Sequence, residues 1–146
     1  MSDFEDRMEI QHLAQTYADG VMQRDAEIWG NTWAEDGTWN LSPGMDPVSG
    51  RETLKAFWTQ VMSGYPQVLH WVQPGLVDVN GDTATARFYV QENIKDAEGN
   101  QFRVAGVYND ELVKENGAWK FKVRNFATLY RGPVDMSGDW AGYPKA

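Results

Sequence analysis

The first part of the chain carries apolar residues at helical spacing. Between residues 4 and 24 they recur at steps of three and four, which predicts an amphipathic helix: Met8, Ile10, Leu13, Ala14, Tyr17, Ala18 and Val21. Asp3 is a candidate N-cap of this helix, and Asp25 is a candidate N-cap of a second, short helix over 26–34. A turn-rich segment with a short strand near 39–41 follows, and 49–63 predicts a third helix.

The rest of the sequence changes to the two-residue period of strands. Residues 68–79 and 83–94 predict a hairpin, because Asn80 followed by Gly81 supplies the positive φ that a tight turn needs. Residues 101–114 and 118–130 predict a second hairpin, which turns at 115–117. Helices grouped ahead of an antiparallel meander predict an α+β fold, with the helices packed on one face of a strongly curved sheet.

We expect one domain over residues 1–146, since no repeat, linker or low-complexity segment divides the chain. Its core is predicted at about 8–131. The segment 132–146 has no periodicity, and we expect it to cover the mouth of the sheet or to contact a neighbouring subunit.

Composition narrows the range of partners. A chain of 146 residues with 42% hydrophobic content can fill one sizeable core. Its formal charge of −8 opposes contact with phosphate backbones and anionic lipid, so we expect neither nucleic acid nor a membrane as a partner. The charged first residues, without a long apolar run, predict a cytoplasmic protein. Seven Trp suit a pocket for a flat apolar ligand, although composition alone favours a core that happens to be aromatic.

The residue types restrict the available chemistry. The sequence has no cysteine and only two histidines, His12 and His70, so it offers no thiolate nucleophile and no His-rich metal site. It also lacks a phosphate loop, a dinucleotide fingerprint and a Gly-x-Ser-x-Gly elbow. We therefore expect no metal and no cofactor. Carboxylates, phenols, amides and one or two imidazoles remain.

His70 is the first candidate for catalysis. It lies in a predicted buried strand beside Leu69 and Trp71, where partial desolvation favours the neutral imidazole that accepts a proton. A core histidine satisfied by a hydrogen bond is the alternative.

Glu92 is the second candidate, because it continues the apolar row of Phe88 and Val90. A buried carboxylate needs a partner or it retains a proton. Opposite His70 either state is useful: the carboxylate orients the imidazole, and the acid protonates a leaving hydroxyl. If the strand ends by Gln91, Glu92 points into solvent instead.

The first predicted helix offers further polar side chains. Tyr17 lies on the apolar face of this helix, where its hydroxyl can form a hydrogen bond with a substrate oxygen. The alternative is that the tyrosine is only part of the core. Asp19 is about 200° further round the helix, so both side chains cannot lie at the centre of a pocket. Asp25 is most simply an N-cap.

The last two strands supply a further set. Asn125 continues the alternating apolar row that begins at Trp119, so parity predicts that it faces inward and can hold a carbonyl or phenol oxygen. Arg124 then faces outward unless a β-bulge intervenes, in which case it can stabilise an enolate or phenolate. Tyr108 and Asp110 share the inward parity of their own strand.

Seven stretches of the chain, in order, resemble the SnoaL-like branch of the nuclear transport factor 2-like superfamily. They are residues 10–21, 33–37, 50–54, His70, 79–87, 106–112 and 116–121. The resemblance spans about residues 8–131 and implies a cone-shaped α+β barrel. This superfamily holds dehydratases, isomerases, polyketide cyclases, dehydrochlorinases, dioxygenase small subunits and members that only bind ligands.

The sequence is most similar to the cofactor-free lyases of that branch: scytalone dehydratase, bile-acid dehydratase and hexachlorocyclohexane dehydrochlorinase. In these a histidine base, steered by an aspartate of the first helix, faces a tyrosine and a second acidic or imidazole group. The resemblance implies that His70 is the base, Tyr17 the tyrosine and Glu92 the opposed acid. Met22 occupies the position of the aspartate, unless Asp19 or Asp25 replaces it through a shifted helix end.

These observations predict a cofactor-independent lyase or isomerase for a small, apolar, aromatic and oxygenated substrate. Dehydration, a double-bond shift and retro-aldol cleavage of a carbon–carbon bond all remain open. Catalysis is assigned to His70, Tyr17 and Glu92, and substrate binding to a second set: Asn125, Arg124, Asp19, Met22, Tyr108 and Asp110. The alternatives are a non-catalytic small-molecule-binding protein, favoured by Met22, and a structural protein like the dioxygenase small subunits. The resemblance also implies a homodimer or homotrimer.

Overall fold

A curved seven-stranded sheet packs against three helices in the computed structural model, which describes residues 3–142 and 144. The elements follow in the order α1 (Asp3–Gln23), α2 (Ala26–Gly30), β1 (Trp33–Asn40), β2 (Val48–Ser49), α3 (Arg51–Ser63), β3 (Gln67–Val72), β4 (Leu76–Asn80), β5 (Thr83–Lys95), β6 (Gln101–Glu115) and β7 (Ala118–Pro133). Within these described residues no helix has the length and apolar character needed to cross a membrane.

The predicted α+β class is confirmed. The strands follow the order β2-β1-β7-β6-β5-β3, with β4 also paired to β5, and the sheet does not close on itself. Every pair is antiparallel except β1 with β7. Strand β5 is long enough to pair with β4 along its first half and with β3 along its second half.

The tight turns follow the predicted chemistry. Gly81 has a φ of +61° between β4 and β5, and Asn116 and Gly117 have φ of +53° and +81° between β6 and β7. Positive φ at both central residues of the β6–β7 turn, and at the first central residue of the β4–β5 turn, matches the twist of two-residue hairpins.

Two element boundaries differ from the prediction. The helix predicted over 26–34 ends at Gly30, because Trp33 pairs instead with Phe121 of β7 and begins β1. The strand predicted over 68–79 is interrupted after Val72. A Cβ at Gly75 would lie 2.5 Å from the ring of Phe88, so the break depends on a residue without a side chain.

A β-bulge in β7 decides which of its residues face the core. Glu111 pairs with Val123 and Leu112 pairs with Phe121, which leaves Lys122 unpaired. The extra residue reverses the alternation, so that inward positions beyond it are even-numbered. A second shift opposite Ala105 and Gly106 reverses the alternation again.

The core fills the concave side of the sheet with aromatic rings. Trp29, Trp33 and Phe121 are fully buried, and Trp29 stacks on Trp58 of α3 with a ring-centroid distance of 5.0 Å. Helix α1 covers this side with its apolar stripe, which contains Ile10, Ala14, Tyr17 and Val21. Tyr17 therefore points into the concave side of the sheet.

The predicted segment 132–146 does not cover the cavity described below, as far as its described residues show. Strand β7 includes its first two residues, and the backbone N–H of Met136 donates to the side chain of Gln101. Trp140 and Ala141 then border a groove beside Arg24 at the end of α1. Residues 143, 145 and 146 of this segment lie outside the described residues.

Candidate active site

A cavity of about 340 Å³ lies between the concave face of the sheet, α1 and α3. Its lining is mainly aromatic and aliphatic, with Trp39, Phe57 and Trp58 on one side and Phe102 and Phe126 on the other. The polar side chains Tyr17, His70, Glu92 and Tyr108 converge on it from α1, β3, β5 and β6.

His70 and Glu92 face each other across the β3–β5 ladder. They are register partners, and His70 Nδ1 lies 3.3 Å from Glu92 Oε2, although without the angles of a hydrogen bond. The side chain of His70 is 4% exposed, while that of Glu92 is partly open to the cavity. Within the described part of the chain neither imidazole nitrogen has a hydrogen-bond partner. A buried ring with a free nitrogen on a cavity is suited to accept a proton from a bound molecule.

Met22 serves the backbone rather than the cavity. Its Sδ accepts a hydrogen bond from the backbone N–H of His70 at 3.2 Å, which ties the end of α1 to β3. Met22, predicted to bind substrate, thus lies outside the cavity lining, because the thioether lies beneath the strand that carries the imidazole. Glu92 approaches the imidazole from the neighbouring strand instead.

Neither of the alternative aspartates approaches His70 in this way. Asp19, predicted to bind substrate, accepts a hydrogen bond from Gln23 at 2.6 Å on the exposed side of α1 and lies outside the cavity lining. Asp25 caps α2, accepting from the N–H groups of Glu27 and Ile28 at 2.9 and 3.0 Å. Helical geometry explains both positions.

Two tyrosine hydroxyls and an indole form a connected polar group at the deep end of the cavity. The hydroxyls of Tyr17 and Tyr108 are 3.4 Å apart, and Trp39 Nε1–H donates to the Tyr108 oxygen at 3.2 Å. Burial raises the pKa of both phenols, against the lowering effect of the nearby Arg124 charge, and most strongly for Tyr108. Both side chains therefore remain protonated hydrogen-bond donors at neutral pH.

Arg124 lies behind these tyrosines and not in the cavity. The bulge turns it inward, where it is 1% exposed and bonds both carboxylate oxygens of Asp110, at 2.9 and 3.0 Å. Its guanidinium carbon lies 4.4 Å from the ring centre of Tyr17 and 3.7 Å from that of Tyr108. Arg124 and Asp110, predicted to bind substrate, thus lie outside the cavity lining, since they pair with each other beneath the rings.

Asn125 faces the opposite way from its prediction. The same bulge places it on the exposed side, where it accepts a hydrogen bond from Asn40 at 2.7 Å and donates to the carbonyl oxygen of Asn109 at 3.2 Å. A one-residue slip exchanges the two faces of a strand, which explains why Arg124 and Asn125 exchange places.

The cavity lining includes residues that the sequence analysis did not single out, among them Trp39 and Arg131. Trp39 belongs to a strand that was predicted too short to place its indole. Arg131 lies one residue beyond the predicted end of the last strand and borders the cavity. The inward parity that starts at Trp119 points correctly to Arg131, because the two shifts in β7 cancel. No metal-binding group of three or more His, Asp or Glu side chains occurs in the described ranges 3–142 and 144.

The fold and the cavity define a class of α+β proteins whose curved sheet encloses a small-molecule pocket. The family model for the SnoaL-like domain matches residues 2–125, and the chain belongs to this family.

Solved structures of similar fold bear several different names. A candidate aromatic ring hydroxylase from Novosphingobium aromaticivorans has 27% identity and a TM-score of 0.83, over 92% of this chain and 96% of that one. A type 2 hexachlorocyclohexane dehydrochlorinase, LinA, has 23% identity and a TM-score of 0.81, over 91% of each chain. A candidate scytalone dehydratase from Novosphingobium aromaticivorans has 20% identity and a TM-score of 0.82, over 92% of this chain and 91% of that one. Among curated proteins, none matches the sequence.

Proposed function

We propose that the protein is a cofactor-independent lyase or isomerase that acts on a small, largely apolar, aromatic and oxygenated molecule, with His70 as the base. The observation that carries this proposal is the contact of His70 with Glu92 at the edge of an aromatic cavity that also holds two phenol hydroxyls. Membership of the SnoaL-like family supports it, since the lyases this sequence resembles use a histidine base in such a cavity.

Glu92 gives the imidazole a defined role. A carboxylate 3.3 Å from Nδ1 favours the tautomer with its proton on Nδ1, which leaves Nε2 to accept a proton from substrate. The same carboxylate then stabilises the imidazolium that forms. Glu92 thus does from β5 what an aspartate of the first helix does in the lyases that this sequence resembles.

The phenols complete the chemistry. Tyr17 and Tyr108 would donate hydrogen bonds to a substrate oxygen that gains negative charge, and the indole N–H of Trp39 orients the Tyr108 hydroxyl for this. The imidazolium returns its proton to a leaving hydroxyl in dehydration, to another carbon in a double-bond shift, or to the carbanion released by retro-aldol cleavage. In each case one proton leaves the substrate and one returns.

A screen for binding and turnover tests the proposal. We expect aromatic alcohols, phenols or small terpenoids to raise the midpoint of thermal unfolding, because ligands that bind the native state stabilise it. Incubation of each hit should then give loss of water or of a small aldehyde by mass spectrometry, or a new isomer by chromatography. Hits that bind and return unchanged from every incubation would contradict the proposal and favour the non-catalytic binding protein.

The same family resemblance and the outer face of the sheet lead us to propose a homodimer or homotrimer. Four large apolar side chains stand exposed there on neighbouring strands: Trp71 at 52%, Tyr89 at 45%, Leu129 at 63% and Tyr130 at 49%. Between them the sheet presents the uncharged residues Gln91, Ala105, Val107 and Ala127. An uncharged apolar patch on a chain of charge −8 suits contact with a second copy, because like charges do not face each other there.

Light scattering on the purified protein tests this assembly. We expect a mass of two or three times 16.6 kDa for the wild type and a shift toward the monomer for Leu129→Glu, which places like charges across a symmetric contact. Phe4→Glu is the matched control, since Phe4 is 71% exposed but lies in the first turn of α1, on the other side of the sheet from the patch. A monomeric wild type, or dissociation by the control alone, would rule out this interface.

A further inference from the structure

Arg131 lies on the same row of the concave face as the proposed base. His70 pairs with Glu92, Glu92 with Val104, and Val104 with Arg131, so the row crosses four adjacent strands. Arg131 borders the cavity at the far end of this row. Its guanidinium carbon lies 4.4 Å from the ring centre of Phe102, which also lines the cavity. A stack of this kind holds the group in place and leaves its N–H donors free at the edge.

The charge of Arg131 has no acidic partner among the described residues. Three other arginines form ion pairs, Arg124 with Asp110, Arg51 with Glu115 and Arg7 with Asp3. Arg24, Arg87 and Arg103 instead donate hydrogen bonds to neutral carbonyl or amide oxygens. Glu92 lies two strands away on the same row, and among the described residues no ion pair joins it to Arg131. Arg131 is therefore an unpaired cation at an otherwise apolar rim.

We propose that Arg131 binds a carboxylate of the substrate, so that the substrate class is an aromatic acid whose reacting carbon lies beside His70. The planar guanidinium matches a carboxylate with two parallel N–H···O bonds. The backbones of His70 and Arg131 are three strand spacings apart, roughly 14 Å, and both side chains line the cavity. A one-ring or two-ring acid bridges the remaining gap within a cavity of about 340 Å³.

Because the protein carries a net negative charge, binding of an aromatic carboxylate requires a positively charged group near the cavity. A net charge of −8 repels an anion at long range, whereas an apolar neutral molecule needs no basic group at the mouth. The inference rests on the proposed function only in taking this cavity as the substrate site. It requires binding of the carboxylate and does not depend on turnover.

Calorimetric titration with a matched pair of probes tests the inference. Cinnamate and cinnamyl alcohol share one aromatic body, and only cinnamate carries the carboxylate. We expect the wild type to bind cinnamate more tightly, and Arg131→Met to weaken cinnamate binding about tenfold or more while cinnamyl alcohol stays within about twofold. Arg131→Lys should restore part of the affinity, because it keeps the charge and loses the paired donors.

Arg103→Met is the control for net charge. Arg103 lies next to this row on the outer face of β6, where it donates to Asn93 at 2.9 Å, and its loss changes the charge of the chain equally. An equal effect of Arg103→Met, no preference for cinnamate, or no cinnamate binding at millimolar concentration would overturn the inference. If an uncharged substrate turns over with or without Arg131, the inference fails and the proposed function stands. If cinnamate binds through Arg131 and no substrate reacts, the inference stands and the proposed function fails.

Discussion

Replacement of His70 by glutamine is expected to lower the turnover rate by a factor of about 10² to 10⁴, the contribution typical of a general base. Glutamine preserves much of the side-chain volume and can still bond Glu92, but it cannot accept a proton at neutral pH. The rate constant kcat, measured on the substrate that the screen identifies, should fall while a ligand still raises the midpoint of thermal unfolding.

His12→Gln provides the matched control for this variant. His12 is the second histidine of the chain and lies on the exposed side of α1, where its imidazole is remote from the cavity lining. The control should retain full activity. Full activity of His70→Gln, or an equal loss in His12→Gln, would show that the imidazole of His70 is not the base. Glu92→Gln should give a smaller loss than His70→Gln, because Glu92 acts on the substrate through the imidazole.

The sequence predicted those parts of the fold that depend on local rules. Asn-Gly pairs at Gly81 and Gly117 require positive φ and place both hairpin turns correctly. Strand parity put Glu92 in the inward row of Phe88 and Val90, since alternation holds wherever a strand is regular, and the ladder places this row beside His70.

The errors fall where distant parts of the chain decide the local structure. Trp33 has a helical neighbourhood in sequence, and only its pairing with β7 makes it a strand residue. Lys122 shows no local sign of a bulge, yet its extra position turns Arg124 inward and Asn125 outward. The position of the Met22 thioether depends on how the end of α1 packs beneath His70, which the local sequence does not determine.

Arg124 also illustrates how the error in parity hid a structural role. Arg124 was predicted to contact substrate, whereas in the structure its guanidinium pairs with Asp110 and packs against the rings of Tyr17 and Tyr108, which line the cavity. The tyrosine hydroxyls can hold their positions only if the layer beneath them is rigid. Stability measurements on variants of Asp110 and Arg124 therefore test the support of the two tyrosines.

Replacement of Asp110 by asparagine is expected to lower the free energy of unfolding by about 3 to 5 kcal/mol, because it leaves a guanidinium buried without its counter-ion. Arg124→Met should have a similar cost, since it leaves the carboxylate without a partner. Urea denaturation of both variants measures the effect. The double variant Asp110→Asn with Arg124→Met should be more stable than the sum of the two losses implies, because neither buried charge remains.

The exposed pair of Lys122 and Asp36 distinguishes burial from pairing as the cause. Asp36→Asn removes the carboxylate that pairs with Lys122 of β7. Because the Asp36 side chain is mostly in solvent, loss of this pair should change the free energy of unfolding little. If Asp110→Asn were as mild as Asp36→Asn, the buried charge would not be held by Asp110 as the structure has it. Within the described residues Arg124 is the one cation in contact with the rings of both Tyr17 and Tyr108. If Asp110→Asn loses much stability and, while still folded, also binds ligand more weakly, the Asp110–Arg124 pair helps to hold the two phenols in position.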